Sequence, residues 1–140
     1  MSDVLAISNA LGDTLYKYRY VERPPSFRGV RNDGEVVYGI GVERALGKTF
    51  IVNALHDEIS LKDVMEYSVG EYTGYTSFCG QDIYSSSIME IEFGDGTRHR
   101  GSVGYHEGHG DYVFYSEGHF YFMDESSLDE LDVRLYVLED

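Results

Sequence analysis

Apolar and polar residues alternate most cleanly from Ile88 to Phe93, where Met89, Ile91 and Phe93 fall on one side and Glu90 and Glu92 on the other. A period of two predicts a half-buried strand. Gly94-Asp95-Gly96 then makes a tight reversal, to which two registers are open. A three-residue loop with Gly96 in the left-handed region sets Glu92 opposite Arg98, Ile91 opposite His99 and Glu90 opposite Arg100. A two-residue loop would put both arginines on the apolar face, so the first register is expected.

A second hairpin repeats the pattern with aromatic side chains: Tyr112 to Tyr115, the turn Ser116-Glu117-Gly118, then His119 to Phe122. A three-residue loop pairs Phe114 with Phe120 and Tyr112 with Phe122 on one face, and Val113 with Tyr121 on the other. Neither face is polar. Such a pair is covered on both sides, the favoured reading, or shows one aromatic face to a partner.

Elsewhere the pattern is shorter. Ser2 caps a short helix through Leu11, or a strand begins at Val4; Tyr16, Tyr18 and Tyr20 then alternate with Lys17 and Arg19 in a strand that Pro24-Pro25 ends. Asn32-Asp33-Gly34 turns Phe27–Arg31 back into a strand over Glu35–Val42, and Phe50–Leu55 forms another. Ser60 and Asp63 resemble a capping box, which with Leu61, Val64 and Met65 predicts a short helix to Ser68. Val69 to Ser87, rich in Gly, Ser, Thr and Tyr, reads as a long surface connection with room for a short strand. Ser126 to Glu130 is polar, and Leu131, Val133, Leu135 and Val137 alternate as a final strand. The expectation is one α+β domain over residues 1–140, mostly antiparallel β-sheet. Seven or eight strands would form a partly closed barrel or a two-sheet arrangement, with one or two short helices.

Charge narrows the partners. With 25 acidic and 11 basic residues the net charge is −14, which disfavours direct binding to nucleic acid or an anionic membrane and favours a basic protein surface. The excess is uneven: Lys17, Arg19, Arg23, Arg28 and Arg31 cluster early, whereas Arg134 is the one Lys or Arg from Gly104 to Asp140. Cys79 is the single cysteine, so no internal disulfide forms, and a buried or half-buried small residue is expected there. No basic start leads into an apolar run, and no apolar segment is long enough to cross a membrane; a cytoplasmic protein is expected.

Motifs for catalysis are weak. Gly41 to Thr49 imitates a phosphate-binding loop, but five residues separate its glycines where four are needed, and no helix follows Lys48-Thr49. His106 and His109, with Asp111 nearby and His99 and His119 on adjoining strands of the expected hairpins, hold donors that Zn²⁺ accepts, yet a Gly-rich turn with its histidines in water is the simpler reading. No metal or cofactor is assigned. Carboxylate pairs are too numerous to single one out, and no Gly-x-Ser-x-Gly elbow is present.

Two constellations suggest ligands. Tyr16, Tyr18, Arg19, Arg28 and Arg31 alternate aromatic rings with cations, on which an anionic nucleotide could stack and pair. The runs Leu15 to Arg19, Gly34 to Tyr38 and Glu43-Arg44-Ala45 resemble small ADP-ribosyltransferase-type domains. The resemblance implies a nicotinamide pocket lined by such a strand pair and a later catalytic glutamate, to which no glutamate of this chain can be matched. The second constellation is acidic: Asp124, Glu125, Asp129, Glu130 and Asp132, with Tyr112 and Tyr121 as aromatic anchors. Carboxylates on one strand face stand about 6.6 Å apart and can imitate successive phosphates. The expected function is therefore a non-enzymatic interaction module that inhibits or regulates a basic partner, nucleic-acid-binding proteins being one such class. In composition the chain resembles phage-borne inhibitors of host defence and immunity proteins. Its aromatic hairpin could also pair edge to edge in a homodimer.

Overall fold

The computed structural model describes residues 26–55 and 58–138. The chain divides into two compact units at Val69 and Gly70. The expectation of a mostly antiparallel β protein holds, but the described residues contain twelve strands where seven or eight were expected.

The first unit begins with β1 (Phe27–Val30) and β2 (Val36–Gly39), paired antiparallel across the Asn32-Asp33-Gly34 turn. Gly34 adopts φ 91° and donates its N–H to the Arg31 carbonyl at 2.9 Å. The strand expected through Val42 breaks at Ile40. Gly39 packs so closely on the Val52 carbonyl that a Cβ would collide with it, and Ile40 donates its N–H to that same carbonyl at 2.8 Å. The chain then enters a second sheet, ordered β3 (Gly41–Ala45), β4 (Lys48–Leu55), β5 (Glu58–Val64). Leu46 and Gly47 join β3 to β4 with φ 53° and 72°, the conformation of a two-residue hairpin turn. The phosphate-loop imitation is thus a plain strand reversal.

The helix expected from Ser60 to Ser68 does not form. Ile59 and Leu61, two apart, both pack against the Ile40 and Val52 cluster, while Ser60 and Lys62 face solvent. Packing at strand period overrides the local capping signal. A single 3-10 turn, Glu66–Ser68, follows.

The second unit opens with β6 (Gly70–Thr76) and β7 (Asp82–Tyr84), an antiparallel pair with a register irregularity between Tyr72 and Thr76. The connection expected from Val69 to Ser87 is therefore mostly strand, and it buries Ile83 and Tyr84. A five-stranded antiparallel sheet follows in the order β11 (His119–Phe122), β10 (Asp111–Ser116), β9 (Arg98–His106), β8 (Ile88–Phe93), β12 (Val133–Val137). Asp124 caps α1 (Glu125–Leu131), a helix in the segment read only as polar. Leu131 belongs to this helix and is exposed, so the last strand starts at Val133.

The β8–β9 register is the expected one: Glu92 opposes Arg98, Ile91 opposes His99 and Glu90 opposes Arg100. The charges combine differently, because Arg98 reaches both Glu92 at 2.7 Å and Glu90 at 3.1 Å. The β10–β11 register is shifted by one residue from expectation. Glu117 and Gly118 take φ 52° and 77°, forming a two-residue turn that matches the right-handed twist of the strands and sets Ser116 opposite His119. Phe114 consequently faces Tyr121, and Val113 faces Phe122. Every side chain of β11 changes face.

The core follows from these registers. Met89, Ile91, Phe114 and Leu135 are at most 1 % exposed and pack with Ile83, Met123 and Val133. Gly101 lies so close to the Phe114 ring and the Tyr115 carbonyl that a side chain there would collide with both. Val113 is equally buried on the opposite face, while Tyr115, Phe120 and Phe122 remain partly exposed. The middle of β10 is covered on both faces, as the favoured reading has it, while the β11 end leaves aromatic rings partly exposed. No helix among the described residues is long and apolar enough to cross a membrane. Replacing Ile91 with Ala should destabilise the protein by about 2–5 kcal/mol in urea unfolding, whereas Phe120→Ala should cost clearly less.

Candidate functional site: an acid-rimmed cleft

A cleft of about 570 Å³ opens within the second unit. Three segments form it: the end of β6 with its turn toward β7, helix α1, and the start of β12. Each is held by its own chemistry. Ser77 organises the turn, its N–H donating to the Gln81 carbonyl at 2.7 Å and its carbonyl accepting from Gly80 at 2.9 Å. Phe78 ties the turn to β12 by donating its N–H to the Leu135 carbonyl at 2.8 Å.

Helix α1 starts where the Asp124 carboxylate accepts from the Ser127 N–H at 3.0 Å and from its hydroxyl at 2.8 Å. Those bonds, the hydroxyl first, hold the Asp124 carboxyl below the usual carboxylate range. It ends at Asp132, whose backbone is left-handed at φ 54° and whose N–H donates to the Asp129 carbonyl at 3.1 Å. Seven residues make two turns, enough to lay Leu128 on the core and present Glu125 and Asp129 to the cleft.

The cleft floor is apolar, with Met123 and Leu135 buried and Leu128 half-buried. Glu125, Asp129 and Asp132 line the rim, Asp132 at the edge where its carboxylate lies over Gly94. Arg134 is the one basic side chain in the lining, and its guanidinium stacks over the Phe78 ring at 4.2 Å. The Tyr136 ring meets Phe78 edge-on at 5.8 Å. Phe78 is still 58 % exposed with these neighbours in place. An acidic rim, an apolar floor and an open aromatic ring together suit a cation carried on an apolar stem.

No protein-family model, curated protein or solved structure matches the chain.

The sequence-level candidates separate. Of the acidic set, Glu125, Asp129 and Asp132 reach the cleft; Asp124 is engaged as the helix cap, and Glu130 is exposed outside the lining. Tyr112 and Tyr121 are half-buried against the core, Tyr112 donating its hydroxyl to Glu71 at 2.7 Å. The exposed aromatic of the cleft is Phe78, in a segment read as connection, and the solvent-facing rings of β11 are Phe120 and Phe122. The signal for Phe78 was a large apolar residue stranded in a run of Gly, Ser and Thr. Beside it, Cys79 is exposed, where a buried or half-buried residue was expected.

Tyr16, Tyr18 and Arg19 lie outside the described residues. Arg28 is buried, and Arg31 bonds Asp63 at 3.2 Å with Glu35 at 3.9 Å. The His106 ring packs at a tilt against His109 at 4.6 Å between centroids and against Phe120 at 4.7 Å, and no three His, Cys, Asp or Glu side chains among the described residues converge on a metal position.

Two phenol–carboxylate bonds link β6 to β10. Tyr75 donates to Asp111, and Tyr112 to Glu71. The bond to Asp111, then burial, pushes the Tyr75 hydroxyl up to about 12; burial, then the bond to Glu71, does the same for Tyr112. Unfolded phenols ionise near about 10. Below that value both bonds contribute in full, and as pH rises toward 12 the unfolded chain holds fewer protons than the folded one, so stability falls. In denaturant titrations the wild type should lose stability between pH 10 and 12 more steeply than the Tyr75→Phe, Tyr112→Phe double variant, which should be less stable at neutral pH.

Proposed function

We propose that this chain is a non-enzymatic interaction module that docks its acid-rimmed cleft onto a basic surface of a partner protein and blocks or regulates it. The observation that carries the reading is the cleft itself: three carboxylates and an exposed phenyl ring around an apolar floor, on a chain of net charge −14. A long-range negative field speeds encounter with a basic partner, and an aromatic ring that becomes buried on docking slows release. A partner surface basic enough to be attracted this way is also the kind that binds nucleic acid, so occupancy would compete with phosphates. The exposed thiol of Cys79 suits a reducing compartment, and the reading places the protein in the cytoplasm.

The test separates local from global charge. Fluorescence anisotropy with labelled lysine-rich and arginine-rich peptides should show binding that weakens steeply with salt. Glu125→Gln with Asp129→Asn should reduce affinity about three- to tenfold. Glu107→Gln with Glu130→Gln, equal in charge but outside the cleft, should change it little. Equal losses in the two double variants would reduce the effect to net charge and remove the cleft from the account.

A further inference from the structure

We infer that the cleft selects arginine over lysine, and that Arg134 is an internal occupant which a partner's arginine displaces from the Phe78 ring. This rests on the reading of the cleft as a basic-partner site. Phe78 sits on a turn pinned at both ends, by the Ser77 hydrogen bonds and by its own N–H on the Leu135 carbonyl, so its position does not depend on what its side chain touches. Arg134 already places a guanidinium over that ring at 4.2 Å, within the distance at which ring quadrupole and cation attract. A planar, weakly hydrated guanidinium stacks on an aromatic face; a compact, strongly hydrated ammonium gains less there.

The surroundings favour exchange. Arg134 comes from β12, which also forms part of the cleft wall, whereas Glu125 and Asp129 project from α1. An incoming arginine lays its stem on half-buried Leu128 and turns its guanidinium onto Phe78. Its remaining N–H donors then meet the rim carboxylates, which accept the fork of donors in pairs. Arg134 is exposed, so release from the ring returns it to water at small cost. The internal contact therefore acts as a weak competitor, and a lysine has less reason to displace it.

Oligo-arginine and oligo-lysine peptides of equal length and charge, each labelled and titrated by anisotropy, provide the test. The wild type should bind oligo-arginine about three- to tenfold more tightly than oligo-lysine. Phe78→Leu, which keeps the backbone bond to Leu135, should bring the two affinities together while leaving oligo-lysine binding in place. Arg134→Gln should widen the ratio, because both peptides gain equally from the lost positive charge and only arginine gains from the vacated ring. Equal affinities in the wild type, or a preference unchanged in Phe78→Leu, would overturn the arginine assignment and leave the basic-partner reading standing. Failure of both peptides to bind at low salt would overturn both.

Discussion

In the second unit, the choice of which strand face is buried constrains everything else. Met89, Ile91, Phe114 and Leu135 come from three strands of one sheet, and all reach the same dry interior. Strand side chains alternate with a period of two, so a slip of one residue anywhere would turn an entire set to solvent. The turns are what prevent it. Gly96 at φ 89° holds the β8–β9 register, and the Glu117-Gly118 pair holds β10–β11.

The cleft is a by-product of closing that core. Met123 and Leu128 cover its edge, which requires the chain to turn through α1 between β11 and β12, and the short helix brings acids to its outer side. The β6–β7 turn is tied to β12 by the Phe78 N–H on the Leu135 carbonyl, and the Phe78 ring stays exposed. Phe78 shares the cleft lining with Glu125, Asp129 and Asp132. Carboxylates and an aromatic ring collect there because the apolar residues of the same segments are used up below.

The two units show how local signals fare against packing. Asn32-Asp33-Gly34 and Gly94-Asp95-Gly96 worked as read, because a backbone that must adopt positive φ draws on few residue types. The cap-like Ser60 and Asp63 failed, since Ile59 and Leu61 gain more by lying two apart on the Ile40 and Val52 cluster than a short helix could offer. Asp124 did cap a helix, though its segment looked merely polar: one core-facing side chain, Leu128, was enough to hold two turns whose ends are both capped.

Alternation, turn chemistry and charge were legible in the residues alone, because each depends on neighbours in sequence. They established a mostly antiparallel β protein, the β8–β9 register, and an acidic region that includes Glu125, Asp129 and Asp132. Tertiary structure decided the rest. The twist of β10 and β11 selected a two-residue turn over the three-residue loop and so moved Tyr121 inward and Phe120 and Phe122 outward. Burial of Ile83 made strands of a segment whose composition suggested a loop. The meeting of Phe78, Arg134 and the rim of α1 joins residues about fifty positions apart in the chain. No local pattern encodes that meeting, because it exists only where separate strands and a helix close over one core.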